Sequence, residues 1–184
     1  MTVDDTGRPS RTVERFLTET ANRLVARYDV HRDERLGDLP LAFLAEYRRR
    51  DEKYLLTRGA RIWGVESREL LLVAAPSDPL DLSFLGKFSE TMRVETPRLV
   101  EGDSDHMTTV CLGIAVTDRP VVDVVATEAV NYRKLKFLRF GFHGWVEMYL
   151  AVVDLGRERV HIHRKGLPFA EILRGGLSRE SSRH

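Results

Sequence analysis

Between Val13 and Tyr28 apolar side chains recur at spacings of three and four: Val13, Phe16, Leu17, Thr20, Leu24, Val25 and Tyr28. Glu14, Arg15, Glu19 and Arg23 fall between them, so the stretch predicts an amphipathic helix with one face on a core. Ser10 or Thr12 can cap its start. The period then drops to two. In LPLAFLAEYRRR, Leu41, Phe43, Ala45 and Tyr47 share one face and Ala42, Leu44, Glu46 and Arg48 the other, the pattern of a strand. RRRDEK reads as a charged turn into YLLT. After Gly59, ARIWGV and ELLLVAA read as two short strands joined by ESRE, and together these segments predict an antiparallel meander.

SDPLDLSFLGKFSETMRVETP returns to the helical period, with Leu82, Leu85, Phe88 and Met92 as its stripe. Asp78 is the expected N-cap with Pro79 at the first helical position, and Pro97 is the expected limit. In TTVCLGIAVT, Val110, Leu112, Ile114 and Val116 oppose Cys111, Gly113 and Ala115. Both faces are apolar, as in a central strand, and the small-residue face predicts a closely packed helix. WVEMYLAVVDL repeats the pattern, with Val146, Met148, Leu150 and Val152 opposite Tyr149, Ala151 and Val153. PVVDVVATEAVNYRKLKF lies between these two strands and reads as a crossover helix, which favours parallel pairing of the strands it joins. RVHIHRKG reads as a final edge strand and PFAEIL as a short terminal helix.

The order is therefore α-β-β-β-β-α-β-α-β-β, with the second and third strands readable as one bent hairpin. It predicts an α/β (α+β) fold: a mixed sheet with an antiparallel meander and a parallel strand-helix-strand unit, flanked by helices. Residues 10–173 are expected to form one globular domain, between a flexible tail at 1–9 and a disordered tail at 174–184.

Composition changes this picture little, but it narrows the chemistry. The chain has 184 residues, 42% apolar and 31% charged, with a net charge of +1 from 29 basic and 28 acidic residues. Any polyanion-binding surface must come from local clustering, because the global field is close to nil. Cys111 is the single cysteine, so an internal disulfide and a cysteine cage for zinc are both excluded. MTVDDTGRPSRTVERF lacks the basic start and apolar run of a signal peptide, and no apolar run approaches the ~18 residues of a membrane span. A soluble cytoplasmic protein is expected, with no membrane partner.

The element order over roughly residues 11–155 resembles that of the restriction-endonuclease-like nucleases. That resemblance implies a divalent metal held by an Asp and by a Glu-x-Lys pair on the next strand, the lysine orienting the attacking water. The positions that match are Asp33, then Glu46 and Arg48, with Arg48 standing where the family has lysine. FGFHGWVEMYLAVVDL is similar to a segment of an uncharacterised family of small prokaryotic proteins, which implies no activity.

Other residues suggest chemistry of their own. His161 and His163 alternate in a strand and could ligate zinc, with His143, His106 or Glu147 as a third ligand. Arg157, Arg159, His161, His163 and Lys165 share parity, and Val160 and Ile162 take the inner side. They predict a basic stripe suited to phosphates or acidic proteins, although charge on an edge strand also blocks aggregation. Cys111 lies among apolar neighbours and reads as a buried, inert thiol. In NYRKLKFLRFGFHGW the basic residues alternate with aromatics. It reads as a helix exit followed by a turn at Gly141 and Gly144, with Phe137, Phe140 and Trp145 in the core. Arg133, Lys134, Lys136 and Arg139 would then join the Arg157–Lys165 stripe if both lie on one side of the sheet.

The first expectation is a non-catalytic binding or interaction domain with a basic surface stripe. The alternative is a divalent-metal-dependent nuclease using Asp33, Glu46 and Arg48. A third reading is an interaction subunit or homodimer paired through edge strand 158–164. Nucleic acid is the less favoured partner, and no cofactor is expected.

Overall fold

A computed structural model describes residues 9–51, 65–100, 107–138 and 144–177. The first helix, α1 (Arg11–Leu24), buries Val13, Phe16, Leu17, Thr20, Ala21 and Leu24, the stripe expected from the spacing. Ser10 is its cap: the hydroxyl accepts from the Val13 N–H at 3.3 Å and also donates to Asp118 across the fold. Val25 falls just past the last turn and is exposed, contrary to its place in the predicted stripe.

The chain then forms β1 (Asp29–Arg32), a small hairpin of β2 (Arg35–Leu36) and β3 (Leu39–Pro40), and the long strands β4 (Phe43–Asp51) and β5 (Val65–Ala74). β5 is continuous through ESRE, so the expected break after Val65 does not occur; YLLT and ARIWG lie outside the described residues. β1, β4 and β5 are the antiparallel meander. Phe43, Ala45 and Tyr47 share a face as predicted, the one toward α1, whereas Leu41, two residues before β4 begins, turns into the opposite core.

α2 (Leu82–Val100) carries the chain from β5 to β6 (Met107–Thr117), which pairs parallel with β5. Its N-terminus is capped by Asp81, which accepts from the Phe84 N–H at 2.7 Å, not by Asp78. Pro97 does not end the helix but sits inside its last turn. Gly113 explains why the small-residue face of β6 is required: a Cβ there would lie 2.3 Å from the Met92 sulfur of α2.

α3 (Asp123–Asn131) is shorter than the sequence suggests. It stops at Tyr132, whose backbone is extended, and β7 (Arg133–Phe137) follows, pairing antiparallel with β8 (Gly144–Asp154). β8 pairs parallel with β6, as expected of a crossover unit. β9 (Arg159–Ile162) folds back on the upper half of β8. After a short 3-10 turn at Arg164–Gly166, α4 (Leu167–Leu177) extends past the predicted end of the domain at 173.

The sheet runs β1-β4-β5-β6-β8-β7, with β9 sharing β7's side of β8. It is mixed and has helices on both faces, so the fold is α/β. α2 and α3 cover one face through Phe88, Met92 and Val125; α1 and α4 cover the other through Phe16, Leu24 and Leu173. No helix among the described residues is long and apolar enough to cross a membrane.

Candidate functional site

β7 and β9 lie end to end along one margin of the sheet. Arg133 to Phe137 oppose Tyr149 to Trp145, and Arg159 to Ile162 oppose Asp154 to Ala151. Partners across an antiparallel ladder point to the same face. Lys136, Lys134, His161 and Arg159 are therefore aligned on the α2–α3 face, opposite Val146, Met148, Val152 and Asp154. Two residues of each basic segment thus share this face along the margin, while Arg133 opposes Tyr149 on the other face.

The other face of β7 has a different character. The α1–α4 layer reaches Tyr149, whose ring stacks on Phe169 at 6.4 Å and sits 5.9 Å from His163. Below that level Leu135 is 46% exposed, Phe137 61% and Trp145 41%. Phe137 and Trp145 thus stand out from the sheet, contrary to the core placement expected for them. Among the described residues, helical cover has stopped where they begin. Phe140 and Arg139 lie outside the described residues.

Arg133 and Glu147 form the polar centre of this face. Both Nε and Nη2 of Arg133 approach Glu147 Oε1 at 2.6 Å. Burial pushes the Glu147 carboxyl up, but hydrogen bonds from Tyr149 and Arg133 outweigh it and hold the group below the usual carboxylate range. Burial, together with the same carboxylate, raises the Tyr149 hydroxyl above its ordinary value. A permanent ion pair beside exposed rings suits recognition.

Of the nuclease candidates, Glu46 and Arg48 are brought together but Asp33 is not. Glu46 lies opposite Asp29 in the ladder, and Asp33 is beyond the end of β1 in a turn with φ +57°. Glu46 is also occupied: Arg68 Nε lies 2.6 Å away, and Arg48 pairs with the same oxygen. Burial raises the Glu46 carboxyl, yet the two arginines leave it lowered overall. Arg68, which has no sequence pattern to mark it, links this pair to α2 by donating to the Leu99 carbonyl at 3.0 Å. A cation on the last turn of a helix is favourable there. The cluster is a strut between β4, β5 and α2.

His161 and His163 do not share a face. His161 opposes Val152 on the α2–α3 side, whereas β9 has ended at Ile162 and His163 turns toward Tyr149. His163 Nδ1 accepts from the Lys165 N–H at 3.1 Å, which places Lys165 in the turn rather than on the stripe. His106 and His143 lie outside the described residues, and among the described residues no cluster of three or more His, Cys, Asp or Glu could hold a metal. Arg157 serves the β8–β9 turn, donating to the Val121 carbonyl at 2.9 Å while its N–H donates to buried Asp154 at 3.0 Å. Cys111 is fully buried beside Thr96, and burial pushes its thiol up to about 12.

Fold and surface together define an α/β domain with a mixed sheet whose exposed aromatic residues and two lysines group at the β7–β8 margin. The chain belongs to the family described as a domain of unknown function (DUF8052), matched over residues 12–175. No curated protein and no solved structure matches it.

Proposed function

We propose that this chain is a non-catalytic binding domain whose partner sits on the sheet margin formed by β7 and the lower half of β8. The observation that carries this reading is the exposure of Leu135, Phe137 and Trp145 in one group, backed across the strand by the basic line of Lys134 and Lys136. Scattered exposed apolar residues are ordinary, but exposed aromatic ones in one group are the composition of binding surfaces. The test uses the Trp63→Phe protein, in which Trp145 is the only indole. A saturable change in its emission with an oligothymidylate, an acidic peptide or rising protein concentration supports the reading. Constant emission under all three overturns it.

A cytoplasmic location belongs to the same proposal, supported by a fold whose one thiol is buried and which needs no disulfide. Pairing of two copies through 158–164 has less in its favour, because β9 is short and packed by α3 and α4. For a nuclease using Asp33, Glu46 and Arg48, the arginine-paired state of Glu46 is unfavourable to metal binding. Plasmid DNA incubated with the protein and Mg²⁺ or Mn²⁺ is expected to remain intact.

A further inference from the structure

We infer that the occupant of this margin is an extended polypeptide segment alternating acidic and apolar side chains, which adds to β7 as one more strand of the sheet. This deepens the reading of the β7–β8 margin as the binding surface and rests on it. β7 is the last strand on its side, and among the described residues no strand pairs with its outer edge. Alternate residues of such a strand present unpaired N–H and C=O groups, a template for an incoming chain.

The side chains specify what kind of chain. Lys134 and Lys136 point to one face and Leu135 and Phe137 to the other. A paired strand must therefore offer acids toward the lysines and apolar groups toward Leu135 and Phe137. Lys136 is already fixed in place by its contact with the Arg93 carbonyl at 3.5 Å, so one of the two charges is held ready.

A second copy of β7 fits badly. Antiparallel self-pairing about Leu135 sets Lys134 opposite Lys136, and like charges directly across a ladder are destabilising. A nucleic acid lying on the aromatic face also fits less well. Glu147 stands between Trp145 and Tyr149 there and neutralises Arg133, while the two lysines face the other side. With a net charge of +1, no long-range field compensates. Only an extended chain running along the edge meets both faces at once.

The test is fluorescence anisotropy of a labelled peptide alternating glutamate and valine, with a scrambled peptide of the same composition as control. Saturable binding that weakens with salt is expected, and Lys134→Glu should lower affinity by about tenfold. A peptide with lysine in place of glutamate should prefer the Lys134→Glu protein. The decisive readout leaves the protein unaltered: N-methylating one alternate set of peptide amides should abolish binding, and methylating the other set should leave it. Equal sensitivity to both sets, or to neither, overturns strand addition. If the peptide fails while an oligothymidylate shifts Trp145 emission, the polypeptide inference falls and the margin remains a binding surface. An emission change that follows protein concentration alone overturns the inference in favour of a second copy.

Discussion

Lys136 reaches from β7 to within 3.5 Å of the main-chain carbonyl of Arg93, the acceptor that Pro97 leaves without its helical partner. A proline inside a helix removes the N–H that would bond the carbonyl four residues back. The lysine supplies a donor from the sheet instead, which explains how α2 passes through Pro97 and tethers β7 to the helix layer. Lys136→Met should therefore cost about 1 kcal/mol in urea unfolding. In a Pro97→Ala background the restored N–H serves Arg93 and the same substitution should cost little. A double-mutant cycle with no coupling would refute the relationship.

Glu46 sets a different dependence. Its carboxyl is lowered from 4.5 in the folded protein, so its ionised form contributes stability that is complete above about pH 4.5. That contribution is lost as pH falls through the lower folded value. Glu46→Gln, which leaves buried Arg68 without its carboxylate, should lose about 2 kcal/mol at neutral pH. Its stability should also change less than the wild type's between about pH 4.5 and the folded value. Chemical denaturation across that range checks both.

Gly113 is a packing constraint. An added Cβ meets the Met92 sulfur at 2.3 Å and Leu150 Cδ2 at 3.1 Å. Met92 is flexible, but it is fully buried in the α2 core and has little room to withdraw. Gly113→Ala should cost about 1–3 kcal/mol, and shortening Met92 to Val in the same protein should recover part of that loss in thermal unfolding.

Cys111 gives a probe of opening. The thiolate is the reactive form, and burial pushes this thiol up to about 12. At mildly alkaline pH the native protein should react with an aromatic disulfide reagent only at the rate at which β6 becomes accessible. Prompt stoichiometric labelling would contradict the burial.

The parts of this fold that were legible in sequence are those where burial imposes a period. α1 could be read from Phe16, Leu17 and Leu24, and the tight approach of α2 from Cys111, Gly113 and Ala115. β7 could not. Lys134, Leu135, Lys136 and Phe137 do alternate, but the alternation is short and follows directly on Val125 and Ala129, whose helical spacing carries over it. An exposed edge strand also has no buried face to give it a hydrophobic signature. The same gap hid the surface. Phe137 and Trp145 have the composition of core residues, and only their exposure beyond the level of Tyr149 and Phe169 shows them uncovered. Arg68 was passed over because a buried arginine beside Leu70 and Leu72 has no sequence pattern of its own; its partners Glu46 and Leu99 come from other elements.

Exposure and burial of aromatics can be separated by two substitutions. Phe88 is fully buried between α2 and the sheet, and Phe88→Ala should cost about 3–5 kcal/mol through lost burial and the cavity left behind. Phe137 has the same side chain on β7 but is largely exposed, so Phe137→Ala should change stability by no more than about 0.5 kcal/mol. The edge strand's backbone pairing with Trp145 is kept in that variant, so the ladder itself is not the variable. Should Phe137→Ala instead approach the cost of Phe88→Ala, the ring is covered by some other part of the chain and the margin is not an open surface. Measured side by side by denaturant unfolding, the two variants decide whether the aromatic group on β7 serves the fold or a partner.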